Sequence, residues 1–262
     1  MLSFSANLTL LFTEVDFVER FAKASKAGFR GVECQFPYAY RAEELAEQLR
    51  RYDLVQVLHN LPAGDWVAGE RGIACLPDRV GEFQDGVGRA IEYATALACP
   101  RLNCIAGVAP PVMAREVPHE TFVSNLRFAA GELKNAGITL LIEPINTRDV
   151  PGFFLQTSQQ ALAIIQEVGS DNLYLQYDAY HMAIMEGDLA ATIQRIAKYI
   201  AHVQVADNPG RHEPGTGAID YPSVFAALED TNYRNWVGCE YIPLKTTEDG
   251  LKWLPWRDNR RL

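Results

Sequence analysis

The sequence predicts an α/β protein that forms a single (β/α)₈ TIM barrel over residues 1–262. Eight short apolar segments each precede a helical segment within 262 residues, and this count and length are typical of that barrel. No change of composition and no Pro/Ser-rich linker indicates a second domain. An open, doubly wound sheet also alternates strands with helices. The sequence contains neither of the glycine-rich motifs that would favour such a nucleotide-binding fold.

The first half of the chain contains four of the predicted strands, at 3–8, 30–35, 54–60 and 101–107, and helices at 42–52, 82–97 and 118–135. An earlier helix is expected to begin near Thr13, since Thr13 with Asp16 resembles a capping box, and to end at Gly28. Residues from Leu61 to Arg79 are rich in Gly, Pro and charge and show little periodicity. A connection of this length is uncommon in a compact domain, so we predict a functional loop or lid.

The second half repeats the pattern with strands predicted at 138–143, 173–178, 200–206 and 236–241 and helices at 157–169, 188–199 and 221–230. Thr157 and Gln160 resemble a second capping box. Pro222 suits the first turn of its helix. A short helix is expected at the C-terminal end.

The clearest chemical signal is the segment LLIEPIN, in which an apolar run ends in Glu143 and Pro144. A carboxylate at the end of a buried strand is costly unless its charge is compensated. Three later segments repeat the pattern with Asp178, Gln204 and Glu240. Strands five to eight are neighbours in the predicted ring, so these side chains should converge at the C-terminal mouth. Because oxygen ligands favour hard cations, we predict one divalent metal ion, Mg²⁺ or Mn²⁺. The alternative is four unrelated acidic or polar residues paired with neighbours.

Four further side chains are candidates for substrate binding. His59 ends the third predicted strand beside Asn60, and His181 follows Asp178 in a predicted loop. Arg71 lies in the predicted lid and Arg211 in the Gly/Pro-rich loop after strand seven. An arginine at a barrel mouth is suited to a carboxylate or phosphate. Each of these residues could instead have a structural or solvated role.

Composition excludes several functions. The net charge of −9 disfavours nucleic acid and anionic membrane surfaces as partners. No apolar run is long enough for a membrane span, and the N-terminus lacks the basic leader of a signal peptide. The five cysteines contain no C-x-x-C pair. A reduced, cytoplasmic setting is therefore expected.

Several segments resemble the hydroxypyruvate isomerase family, within the xylose-isomerase-like barrels. They are SANLTLLF, GFRGVE, LHNLPAGDWVAGERGIACLP, LLIEPIN, QYDAYHM, HVQVADNPGRHEPGTG and WVGCEY. The resemblance covers nearly the whole chain and implies that Glu143 and Glu240 exchange the substrate proton. It also implies that both glutamates hold the metal with Asp178 and Gln204. Related sugar epimerases usually have histidine where Gln204 stands, which puts the identity of the metal in doubt.

The resemblance implies reversible isomerisation of hydroxypyruvate and 2-hydroxy-3-oxopropanoate (tartronate semialdehyde) through an enediol or enediolate. It also implies a place in glyoxylate metabolism and a homo-oligomer. The main alternative is a 2-oxo-tetronate isomerase or a related keto-sugar isomerase or epimerase. A metal-dependent endonuclease and a non-enzymatic binding module are more remote. The endonuclease should have several metal-binding histidines and a basic DNA-binding face, which are not expected from five histidines and the net charge of −9.

Overall fold

The computed structural model describes residues 1–256. Eight parallel strands close into a barrel in which each strand pairs with the next and β8 pairs with β1. The strands are β1 (Ser3–Asn7), β2 (Gly31–Glu33), β3 (Val55–Asn60), β4 (Arg101–Cys104), β5 (Thr139–Ile142), β6 (Leu173–Asp178), β7 (Ile200–Val205) and β8 (Trp236–Cys239). The predicted (β/α)₈ fold is therefore confirmed.

Helices cover the outside of the barrel. They are α1 (Arg20–Lys26), α2 (Ala42–Arg51), α3 (Val80–Ala96), α4 (Glu116–Asn135), α5 (Ser158–Val168), α6 (Ala179–Met185), α7 (Leu189–Ile196) and α8 (Tyr221–Asp230). Their buried faces supply Phe83, Phe122, Leu126 and Ile164 to one apolar core against the barrel. No helix among residues 1–256 is long and apolar enough to cross a membrane.

The predicted start of the first helix, near Thr13, lies several residues before its observed start at Arg20. A 3₁₀ turn at Phe17–Glu19 precedes α1, and Asp16 stands at the N-cap of that turn without a capping hydrogen bond from its side chain. Arg20 explains part of this difference, because its guanidinium donates to the carbonyls of Leu8 and Val15 and ties down the preceding loop.

The second capping box is half formed. Thr157 Oγ1 accepts a hydrogen bond from the Gln160 backbone N–H over 3.1 Å, which caps α5. The side chain of Gln160 donates to Phe154 and accepts from the Gln156 N–H instead of reaching back to Thr157.

Helix α6, which follows β6 directly, was not predicted from the sequence. Its seven residues are too few for a distinct helical period, and its cap, Asp178, is also a predicted site residue. At the other end of the chain, the described part of the predicted C-terminal helix is a 3₁₀ turn at Asp249–Leu251. Residues 257–262 lie outside the described part of the chain.

The long segment between β3 and α3 is a packed loop. It contains an isolated bridge between Gly72 and Ala106 and a 3₁₀ turn at Pro77–Arg79. Ile73, Ala74 and Cys75 are buried in the main core. Only the tip, around Trp66 and Arg71, turns toward the mouth of the barrel. The prediction of a loop is confirmed, whereas its closure over a substrate stays a prediction.

The barrel interior is apolar at the N-terminal end of the strands and polar toward the other end. Val57, Leu58 and Leu141 form a small apolar cluster of their own, on which the partly buried side chains of Tyr174 and Trp236 pack.

The strands also carry buried polar side chains, which include Ser5, Asn7, Glu33, Asn103, Gln176, His202 and Gln204. Gly238 of β8 is needed here, because a Cβ atom at that position would overlap the Glu33 carboxylate. These polar side chains support the residues at the mouth.

Candidate active site

A cavity of about 210 Å³ lies at the C-terminal ends of the strands. Its polar lining includes Gln35, Asn60, Arg71, Glu143, Asp149, Gln176, His181, Arg211 and Glu240, and its apolar lining is Trp66, Ile105, Ile145, Val150 and Phe153. A larger groove of about 790 Å³ lies outside the barrel between Ala109 and Glu167. The smaller cavity is the candidate active site because carboxylates from different strands meet there.

Glu143 and Asp178 lie side by side at this mouth. Glu143 follows β5 directly and accepts a hydrogen bond from Asn103 Nδ2 over 2.8 Å. Asp178 ends β6, and its Oδ1 accepts from the backbone N–H of Tyr180. Oxygen atoms of the two carboxylates and a ring nitrogen of His181 lie within 4.8 Å of one another. Asp178 Oδ2 is buried without a hydrogen-bond partner among the described residues.

Glu240 follows β8 and is held by a dense set of donors. Asn7 Nδ2 and Gln35 Nε2 each donate over 3.0 Å, and Arg211 Nη2 donates over 3.1 Å. Gln204 donates a short hydrogen bond to the same carboxylate. The donors come from four different segments of the barrel mouth, so the position of Glu240 is fixed before any ligand binds.

Burial and mutual repulsion raise the pKa values of the three carboxyl groups. Burial and the negative charges of Glu240 and Asp178 raise the pKa of Glu143 well above its usual range. Burial also raises the pKa of Asp178, with Arg211 acting in the opposite direction. Burial raises the pKa of Glu240 to about 8, again against the effect of Arg211. With one arginine as their shared partner, these groups favour either protonation or a bound cation.

The donor set therefore fits a hard divalent cation. Three carboxyl groups repel one another, and Asp178 Oδ2 is buried and unpartnered within residues 1–256. These are the groups that a cation would compensate.

Gln204 does not offer its oxygen to the cavity in the present arrangement. Its Oε1 accepts from Gln176 Nε2 over 2.6 Å, while its Nε2 donates to Glu33 and Glu240. Metal ligation by Gln204 would require its amide to turn over and to exchange these partners. Its role as a ligand stays a prediction.

His59 and Asn60 have different positions, although both end β3. Asn60 lines the cavity. His59 lies outside the cavity lining, with its Nδ1 against the Asn60 carbonyl and the Tyr38 hydroxyl, and burial lowers its pKa to about 4. Successive strand residues point to opposite faces, which accounts for the different positions of these two neighbours. The contact of His59 with a substrate stays a prediction.

His181 lines the cavity, but from a helix rather than from the predicted loop. It lies in the first turn of α6, and its backbone N–H points at Asp178 Oδ1. Burial, with the positive charge of Arg211, lowers its pKa well below the usual value.

The two arginines both line the cavity. Arg71 stacks on Trp66, with 4.4 Å between the guanidinium carbon and the ring centroid, and donates to the carbonyls of Trp66 and Glu70. Arg211 packs over the ring of Tyr180, and its Nε is buried without a partner in the described chain. Contacts of the guanidinium hold each arginine in place, and in Arg211 the buried Nε stays available to donate.

Sequence reasoning missed several lining residues. Gln35 follows β2 as the other candidates follow their strands, so the strand-end rule applied there would have identified it. Asp149, Val150 and Phe153 lie in the loop after β5, where no periodic pattern marks the residues that turn inward.

Comparisons with known proteins identify the family to which this fold belongs. Residues 21–255 match the model of the xylose isomerase-like TIM-barrel family. Hydroxypyruvate isomerase of Escherichia coli K12 is 55% identical over 98% of this chain and 100% of its own. The 2-oxo-tetronate isomerase of Cupriavidus necator H16 is 45% identical over 96% of each chain.

Among solved structures, one described as an AP endonuclease, family 2, from Brucella melitensis has a TM-score of 0.96 and 46% identity, covering 98% of this chain and 100% of its own. A D-allulose 3-epimerase from a Methylomonas species has a TM-score of 0.78 at 22% identity, covering 96% of this chain and 88% of its own, and therefore shows the fold alone.

Proposed function

Because the chain belongs to the xylose isomerase-like TIM-barrel family, we propose that it is a hydroxypyruvate isomerase. It interconverts hydroxypyruvate and 2-hydroxy-3-oxopropanoate. The observation that carries this proposal is that Glu143 and Glu240, from β5 and β8, line one small cavity together with two arginines. The identity of 55% to a hydroxypyruvate isomerase over nearly the full length supports the choice of substrate.

The reaction moves one proton from C3 to C2 and another between the two oxygens. One glutamate, as a carboxylate, removes the proton from C3 of hydroxypyruvate and leaves an enediolate. The other, as a carboxylic acid, protonates C2, while the C3 hydroxyl loses its proton and becomes the aldehyde. General acid–base groups work best when their pKa values lie near the operating pH. Burial raises the pKa of Glu240 to about 8, which suits it to carry a proton near neutrality.

Glu143, Asp178 and Glu240 would hold a divalent ion, with Gln204 as a fourth ligand if its amide turns over. Mg²⁺ or Mn²⁺ suits such oxygen ligands, and when bound it supplies Lewis-acid stabilisation of negative charge on the substrate oxygens. Asn103 and Asn7 keep the two glutamates in place from below.

Arg71 and Arg211 hold the carboxylate of the substrate. Arg71 is oriented by its stack on Trp66 and its two carbonyl contacts. Arg211 Nε lies buried beside the carboxylates and is free to donate. The apolar wall formed by Ile105, Val150 and Phe153 has no donors for further hydroxyl groups. This combination favours a short, anionic substrate.

An assay of purified protein with Mg²⁺ or Mn²⁺ tests the proposal. Hydroxypyruvate, 2-oxo-tetronates and ketohexoses are compared by kcat/KM. Hydroxypyruvate should be the best substrate. No turnover of hydroxypyruvate by metal-loaded, folded protein would overturn the proposal.

A 2-oxo-tetronate isomerase is the second candidate, because a protein of that name is 45% identical over 96% of this chain. The same glutamates and arginines would serve that reaction, since it also moves a proton next to a carbonyl in a sugar acid. The substrate comparison separates the two: a higher kcat/KM for the four-carbon acid would favour the second.

An endonuclease has less support, although one similar structure carries that description. The chain has a net charge of −9, whereas binding of a phosphate backbone depends on basic side chains. The candidate cavity of about 210 Å³ is small and enclosed by Trp66 and Phe153. Cleavage of abasic DNA by metal-loaded protein would reverse this conclusion.

Cytoplasmic residence, a role in glyoxylate metabolism and a homo-oligomeric state form part of the proposal. All five cysteines are buried and unpaired, which supports a reducing compartment.

A further inference from the structure

Hydrogen-bond donors around the His181 ring determine whether its Nδ1 carries a proton. Asn146 Nδ2 lies 2.7 Å from His181 Nδ1. The backbone N–H of Asn146 points at the same nitrogen over 3.4 Å. A backbone N–H is always a donor, so Nδ1 faces at least one obligatory donor.

The orientation of the Asn146 amide is fixed by Asp149. The backbone N–H of Asp149 donates to Asn146 Oδ1 over 2.8 Å, so that atom must be the oxygen. Asp149 Oδ2 accepts from Asn146 Nδ2 over 3.0 Å and also from the Tyr180 hydroxyl. Turning the amide over would put its NH₂ against a donor and its oxygen against a carboxylate. The nitrogen that faces His181 is therefore the donor.

These contacts determine the tautomer of His181. A nitrogen that accepts hydrogen bonds from Asn146 carries no proton, so the ring is neutral and its proton lies on Nε2. His181 lines the cavity, and its Nε2 lies 3.8 Å from Asp178 Oδ2. A protonated Nε2 has no lone pair for a metal ion, although His181 lies in the one cluster of possible ligands found among the described residues.

We propose that Asn146 is a positioning residue that holds His181 as a neutral imidazole protonated on Nε2. His181 then donates a hydrogen bond to a substrate oxygen and is not a metal ligand. This inference rests on the proposed isomerase function for the identity of the acceptor, whereas the tautomer itself follows from the contacts of Asn146.

The arrangement suits the reaction. Negative charge develops on a substrate oxygen when the carbon-bound proton leaves, and a fixed donor stabilises it without reorganisation. His181 is 3% exposed. Asp149 accepts a hydrogen bond from Asn146 and is itself held by the Tyr180 hydroxyl, so the orientation of the His181 donor is set before a substrate binds. An imidazole with the opposite tautomer would present a lone pair to the enediolate and would repel it.

Nitrogen-15 NMR of protein labelled in histidine tests the tautomer directly. The chain has five histidines, and His181 is assigned as the one missing from His181→Gln. We expect a protonated Nε2 and an unprotonated Nδ1, with the same pattern after addition of Mg²⁺. A protonated Nδ1 with a bare or metal-bound Nε2 would overturn the proposal. This result does not depend on turnover, so it is separable from failure of the proposed function.

Asn146→Asp tests the role of the amide. A carboxylate at this position attracts a proton to Nδ1, so we expect the NMR pattern to change to a protonated Nδ1. We also expect kcat to fall by about 10²-fold, comparable to the loss of one transition-state donor, with a smaller change in KM. Asn235→Asp is the matched control, since Asn235 bonds Arg101 at the far end of the barrel and an aspartate keeps that contact. An unchanged kcat with an inverted tautomer would refute the positioning role.

Mn²⁺ binding, followed by electron paramagnetic resonance, tests the claim that His181 is not a metal ligand. His181→Gln should keep its affinity for Mn²⁺, because no ligand is lost. A fall of more than about 10²-fold, beyond what loss of a supporting contact to a ligand produces, would show that His181 ligates the ion. Should Asn146→Asp fail to fold, the wild-type spectrum and this titration still decide the proposal.

Discussion

Arg211 donates a hydrogen bond from Nη2 to Glu240 Oε1 over 3.1 Å, and among residues 1–256 it is the only arginine or lysine paired with Glu143, Asp178 or Glu240. The two residues come from the loops after β7 and β8. Their contact lowers the pKa of Glu240, although burial still raises it to about 8 overall. The proposed base and the proposed anion-binding group are thus linked, and the charge balance of the site depends on both.

The first prediction concerns stability against pH in metal-free protein. Glu240 has a folded-state pKa of about 8, above its ordinary value of 4.5, so the folded state binds the proton more tightly than the unfolded state does. The free energy of unfolding should therefore fall as pH rises from about 4.5 to 8. Urea denaturation of chelator-treated protein across this range measures it.

Two controls accompany this measurement. Glu240→Gln removes the titrating group and should flatten the slope. Mg²⁺ should also reduce the slope, since a bound cation favours the ionised form. A stability that rises steadily with pH in the chelated protein would contradict the charge balance described for this site.

The second prediction concerns the metal. Protein treated with a chelator should lose activity and regain it with Mg²⁺ or Mn²⁺, because Glu143, Asp178 and Glu240 form an oxygen-rich set. Gln204→His should broaden acceptance to softer ions such as Zn²⁺, since imidazole suits them better than an amide oxygen. Full activity in demonstrably metal-free protein would exclude the metal.

The third prediction concerns Arg71. Arg71→Ala should raise KM for hydroxypyruvate by about 10- to 100-fold, the range expected from loss of a charge-assisted hydrogen bond. An uncharged keto-sugar should be affected much less. Arg30→Ala is the control, because Arg30 pairs with Asp53 at the exposed surface. Equal effects of Arg71→Ala on both substrates would remove its role in binding the carboxylate.

Much of the fold and part of the site could be predicted from the sequence. Glu143, Asp178 and Glu240 were identifiable because each carboxylate ends an apolar strand, and parallel strands end at the same edge. The amide orientation of Gln204 could not be predicted from the sequence, because it depends on hydrogen bonds to Gln176 and Glu33 on other strands. The contact between Asn146 and His181 spans 35 positions and depends on a seven-residue helix without a distinct pattern.

The fourth prediction concerns the two glutamates. Glu143→Gln and Glu240→Gln keep approximate size but remove the base, so each should lower kcat by at least about 10²–10⁴-fold. Metal content must be measured in both variants, because loss of a ligand would mimic loss of a base. Glu167→Gln on the outer surface serves as the control. Near-normal turnover by either site variant with metal bound would refute the paired role.

The most direct test of proton transfer by the glutamates is the reaction of hydroxypyruvate in deuterated water. The carboxylic acid that protonates C2 carries a hydrogen that exchanges with solvent, whereas a hydride shift keeps the migrating hydrogen out of solvent. The measurement is the deuterium content at C2 of 2-hydroxy-3-oxopropanoate, by NMR or mass spectrometry, at early times and low conversion. Proton transfer through Glu143 and Glu240 predicts deuterium at C2. Product formed without solvent deuterium would contradict it.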